Sequence, residues 1–103
     1  MTRTYILDGH KIRSTVEFYD EFERTIIPNE SWSRNLDALN DVLRGGFGTP
    51  DDRFTIHWTS SGKSRSEMRR NDEPTAFDTI VEIISEHGNA GSERHSNVIL
   101  ILE

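Results

Sequence analysis

The sequence predicts an α/β fold: a small three-stranded parallel sheet packed with helices. Three observations carry that reading. Short strand-like runs alternate with segments of helical apolar spacing in the order β-α-α-β-α-β, and parallel strands need such crossovers. The last run, Val98-Ile99-Leu100-Ile101-Leu102, is continuous and too short for a helix. It is expected to be a strand buried on both faces. Capping and breaking residues also fall where the apolar periodicity starts and stops. At 103 residues the chain is long enough for one core and is expected to form one domain over residues 1–103.

The first strand is expected over Arg3 to Leu7, because Asp8-Gly9 is a turn pair. Ser14-Thr15-Val16-Glu17 matches a capping box, in which serine accepts an orphan backbone N–H and glutamate reaches back. Phe18, Phe22 and Ile26 follow as the apolar stripe of a first helix, and Pro28 stops it. A second helix is expected from about Ser33 to Arg44, ended by Gly45-Gly46. Its apolar side is assigned to Leu36, Leu39 and Leu43, together with Trp32. After a loop with Gly48 and Pro50, Phe54-Thr55-Ile56-His57-Trp58 alternates and reads as the second strand. Ser60 to Glu73 is polar and carries Lys63, Arg65, Arg69 and Arg70. It is expected to be mostly loop, with a helical turn near Met68. Thr75-Ala76-Phe77-Asp78, just after Pro74, opens the last helix. Phe77, Ile80, Val81 and Ile84 give its period, and His87-Gly88 ends it before a flexible loop to Asn97.

Composition narrows the function classes. Eighteen acids against twelve Lys and Arg give a formal charge of −6. That balance disfavours nucleic acid and anionic membrane as partners and suits a basic one. With no cysteine, disulfides and thiolate metal sites are excluded. The N-terminus has no apolar signal-like region and no run approaches a membrane span. A cytoplasmic location is expected.

Candidate chemistry is sparse. His57 to Ser64 ends in Gly-Lys-Ser, but His57 stands where a phosphate-binding loop needs its first glycine. The basic segment Lys63–Arg70 has no interleaved aromatic for base stacking; it reads as a solvated loop offsetting nearby acids. His10, His57, His87 and His95 lack metal-ligand spacing, so neither metal nor cofactor is expected. The informative pair is Asp37 and Asp41, four residues apart. Helical geometry places them on one face, rotated by roughly 40°. Like charges at that spacing cost a few tenths of a kcal/mol in an isolated helix, which suggests an outside partner. Spacing alone leaves a second reading open: Arg34 and Arg44 fall on the same helical face and would pair with the aspartates in an intrahelical ladder. A catalytic carboxylate pair is the weakest option, for want of a third group.

Three stretches carry a resemblance. Ile6-Leu7-Asp8-Gly9-His10-Lys11-Ile12-Arg13-Ser14, the core Asn35-Leu36-Asp37-Ala38-Leu39-Asn40-Asp41, and the strand Val98 to Leu102 resemble, in order, the matching parts of the barstar family. Its members are small cytoplasmic inhibitors of bacterial ribonucleases, not enzymes, with a three-stranded parallel sheet and helices. The resemblance implies an acidic helix that plugs the basic active site of a bacterial extracellular-type ribonuclease, mimicking substrate phosphate. Asp41 would be the main anchor, Asp37 a second contact and Glu86 a further acid. Ser31, Trp32, Asn35, Asn40, Arg44 and Gly45 would be rim or packing contacts. Ser31-Trp32 replaces the family's tyrosine pair, and Asn40 replaces a tryptophan. The alternative function is an acidic immunity or adaptor module of the same fold that binds a protein other than a ribonuclease.

Overall fold

The structure is a computed structural model and describes residues 3–28, 32–43, 54–86 and 98–103. Strands β1 (Arg3–Asp8), β2 (Phe54–Thr59) and β3 (Val98–Leu102) form one sheet in the order β1-β2-β3. Both pairings are parallel. Helices α1 (Thr15–Ile26) and α2 (Leu36–Leu43) lie between β1 and β2; α3 (Ser61–Asn71) and α4 (Ala76–Glu86) lie between β2 and β3. The three-stranded parallel α/β architecture is the predicted one.

The register decides what each face of the sheet does. Leu7 aligns with Trp58, and Trp58 with Leu102; Tyr5 aligns with Ile56, and Ile56 with Leu100. Residues in register share a face, so these side chains form the helix-covered side. There Trp58 stacks on Phe18 of α1 at 5.3 Å and meets Phe77 of α4 at 5.0 Å. The opposite side carries Ile6, His57 and Ile101 in one row and Thr4, Thr55 and Ile99 in the next. Ile6, Ile99 and Ile101 are exposed.

One expectation about the strands is corrected by the strand order. β3 was expected to be buried on both faces, yet it is an edge strand with only Val98 fully buried. The strand buried most on both faces is β2, where Phe54, Thr55, Ile56 and Trp58 are all buried. Composition marked β3 as central, but the centre of a sheet is set by pairing order, which local apolarity does not encode.

The first helix forms as predicted. Ser14 Oγ accepts the Glu17 N–H at 3.2 Å, and Phe18, Phe22 and Ile26 are buried. The glutamate reaches one residue further back than the simplest capping box, to the Arg13 N–H at 2.8 Å. Between β1 and α1, Gly9–Lys11 forms a 3-10 turn. Gly9 is required there: a Cβ would collide with the backbone carbonyls of Thr59 and Ser60.

The segment expected to be loop is helix α3. Its residues are helix-compatible (Lys, Arg, Met, Glu), but its inward face is Ser61, Ser64 and Met68, too polar to register as an apolar stripe. Hydrogen bonds replace apolar area. Ser64 Oγ accepts from Trp58 Nε1 at 3.0 Å and donates to the Gly9 carbonyl at 3.1 Å. The Ser61 N–H and hydroxyl both donate to the Glu103 carbonyl. Gly62, Lys63 and Ser64 thus sit in the first turn of a helix that starts two residues after β2 ends. A helix does follow Gly-Lys-Ser, but the strand runs into it with no loop to wrap phosphates, so the phosphate-binding reading stays excluded. The α4 helix begins as expected. The stops at Gly45-Gly46 and His87-Gly88 and the adjoining loops lie outside the described residues.

Candidate functional site

Helix α2 is held by three large aliphatic side chains. Leu39 and Leu43 are fully buried and Val42 nearly so, and the helix packs against α4. Burying side chains of this size stabilises the fold by about 1.5–3 kcal/mol each. Anchoring therefore comes from one stripe alone, and the opposite side is left to solvent. Asp37 and Asp41 are both exposed on that side. Asn40, half-buried, precedes Asp41 by 100° around the helix.

The helix starts later than predicted, at Leu36 rather than near Ser33. Arg34 has a left-handed backbone, φ 52°, which a helix cannot contain. Asn35 then caps the helix: its Oδ1 accepts the Ala38 N–H at 2.7 Å. Leu36, assigned to the inward face, is exposed because it is the first helical residue, a turn before the buried stripe. It lines a cleft of about 310 Å³ with Thr15, Tyr19, Asp72 and Thr79. Sequence reasoning missed Leu36 as a surface residue; the late capping asparagine was the available signal.

The linker also removes one neutralising cation. Arg34 is not on the aspartates' face. Its guanidinium reaches α1, at 2.7 Å from Asp20 Oδ1 and 3.0 Å from Glu23 Oε1. The expected Arg34 half of the intrahelical ladder is therefore absent, because the left-handed residue points the side chain away from α2. Among the described residues neither Asp37 nor Asp41 makes an ion pair. Arg44, the other half, lies outside the described residues, as do Ser31 and Gly45.

Trp32 is a packing residue. Its ring lies 5.4 Å from both Tyr19 and Phe22, edge-on to the first. The indole N–H is buried and has no hydrogen-bond partner among the described residues. Burial also raises the Tyr19 hydroxyl above its ordinary pKa. Glu86 is exposed as the last residue of α4. The structure thus gathers Asn35, Asp37, Asn40 and Asp41 on one helix and its cap, turns Trp32 inward to support the linker, and puts Glu86 on the helix against which α2 packs.

Nothing in this arrangement resembles a catalytic centre with a nucleophile and base. Among the described residues no group of three or more His, Asp or Glu side chains is placed to hold a metal ion. His57 instead meets Glu103 Oε1 at 2.6 Å. No helix among the described residues is long and apolar enough to cross a membrane. What the site can do is present two carboxylates, which make no ion pair among the described residues, to a basic surface. In comparison with known families, the model described as Barstar (barnase inhibitor) matches residues 2–103, essentially the whole chain. No curated protein matches it.

Proposed function

The chain belongs to the barstar family, and from that premise we propose that it inhibits a bacterial ribonuclease of the extracellular type from within the cytoplasm. Helix α2 docks in the basic active site of the enzyme. Asp41 occupies the place of a substrate phosphate, and Asp37 adds a second carboxylate. Asn40 and Asn35 flank them, Ser31, Arg44 and Gly45 are rim contacts, Trp32 supports the linker from beneath, and Glu86 extends the acidic surface.

The observation that carries this reading is the state of the aspartate pair. Two like charges sit on one exposed helical face, while Arg34, one of the two cations that spacing offers as partners, is engaged by Asp20 and Glu23. A ribonuclease active site must bind phosphate and is therefore cationic. Carboxylates held on a buried-stripe helix meet it at little conformational cost, steer encounter and fix register. Close charge pairs at such interfaces contribute about 1.5–7 kcal/mol. The family is described as one of ribonuclease inhibitors, so the chain is read as a ligand for the enzyme.

The test is inhibition of a small guanyl-preferring microbial ribonuclease, and of any nuclease toxin encoded beside this gene, by the purified protein. Inhibition that is lost in Asp41→Ala while the fold persists is expected. If every such enzyme is unaffected at micromolar protein and extracts yield a different partner, the reading fails.

A further inference from the structure

We propose that the face formed by α3 and the 9–13 segment binds the phosphodiester backbone of RNA without base specificity. This does not rest on the ribonuclease reading, which uses a different helix. Residues 9–13 and 60–71 hold six of the twelve Lys and Arg residues, with Glu67 the single acid among the eighteen. The fold joins these two stretches. His10 Nε2 lies 3.1 Å from Ser60 Oγ, the Gly9 carbonyl accepts from Ser64 Oγ, and the Arg13 carbonyl accepts from Asn71 Nδ2 at 2.8 Å. The segment is therefore bonded to α3 at both ends of the helix, with Lys11 between.

On α3 itself, Lys63, Arg65, Arg69 and Arg70 are all exposed. At 100° per residue they occupy an arc of roughly 160°, opposite the buried Ser64 and Met68. Among the described residues these four and Lys11 make no ion pair, whereas Arg13, Arg24 and Arg34 are each bonded to a carboxylate. Arg65 and Arg69 repel at i,i+4, a cost without internal return.

The character of the face selects the ligand. A folded protein partner needs an apolar or aromatic centre to its interface, and a membrane needs residues to insert. Between the α3 cations lie Gly62 and Ser66, with the half-buried Glu67 on the side toward Arg13, and the exposed large apolar side chains, such as Ile6, Leu36 and Ile101, are on other elements. Charge alone, chiefly from arginine, suits phosphate oxygens, which position without reading sequence. Missing aromatics remove base stacking but not backbone binding. The net charge of −6 counts against nucleic acid for the chain as a whole, not for one face of it. With a screening length of about 8 Å at physiological salt, a local cationic face acts independently of acids beyond it.

The experiment is fluorescence anisotropy of a labelled single-stranded RNA of mixed sequence, titrated with the full chain. Binding is expected to weaken about 50-fold between ~50 and ~200 mM salt, as four phosphate contacts to a single strand imply. Arg65→Glu/Arg69→Glu should weaken it more than tenfold, Arg69→Glu alone more than Arg3→Glu, and Arg65→Lys/Arg69→Lys should retain most of it. Circular dichroism checks each fold, and Arg65→Gln/Arg69→Gln replaces a reversal that does not fold. Absence of binding at low salt, equal loss in Arg3→Glu, or these residues binding phosphatidylserine vesicles or a second copy but not RNA would overturn the proposal.

Discussion

Helices α2 and α3 set like charges at helical spacing on an exposed face, and they are anchored by opposite means. Leu39, Val42 and Leu43 hold α2 through apolar area. Ser61, Ser64 and Met68 hold α3, with serine hydroxyls donating to backbone carbonyls and Ser64 accepting from the Trp58 indole. Apolar anchoring leaves no geometric signature on the outer face, so the charged side of α2 is free to serve a partner. Hydrogen-bond anchoring ties α3 to specific atoms of the turn after β1, of β2 and of the residue after β3, and makes it a brace of the sheet.

The largest effect expected separates binding from stability within α2. Asp41→Ala should cost about 2–5 kcal/mol of affinity for a cognate ribonuclease, read by titration calorimetry, with an unchanged urea midpoint. Leu39→Ala should cost about 2–5 kcal/mol of stability instead, read by urea unfolding. If Asp41→Ala lost affinity only in step with helicity, the division of α2 into an anchor face and a partner face would break. The corresponding change in α3 is Ser64→Ala. It strands the Trp58 indole N–H in a fully buried site, and unfolding should show a loss of about 1–3 kcal/mol.

Smaller effects sharpen the boundary. Arg34→Ala removes exposed ion pairs, so its stability cost should stay within about 1 kcal/mol. Its affinity should not rise, because Arg34 does not neutralise the aspartates; a marked rise would restore the ladder. The smallest effect concerns acid. Hydrogen bonds from Arg13 hold the Glu17 carboxyl below its ordinary pKa. The unfolded chain, near the reference value of about 4.3, then takes up its proton first as pH falls. The stabilisation is present above that value and lost as pH drops through the lowered folded one. Glu17→Gln should flatten that acid-side decline in urea midpoint.

What was legible in the sequence follows the same division. Helix α1 announced itself because its capping box and apolar stripe are both local. The aspartate face of α2 was readable from spacing. α3 was hidden because its inward face is serine, whose fit depends on Trp58 and Gly9 far away in the chain. Arg34 was misplaced because a left-handed residue and two acids on another helix decide its direction. The exposure of β3 was not legible because no strand carries its own position in the order.

The two tryptophans split one optical signal between two questions. Trp58, fully buried, stacked on Phe18 and bonded to Ser64, emits from the sheet core and changes only when that core opens. Trp32, half-buried against Tyr19 and Phe22, emits from the linker that leads into α2. A Trp32→Phe protein is therefore a clean reporter of unfolding, and a Trp58→Phe protein a reporter of what docks on the acidic helix.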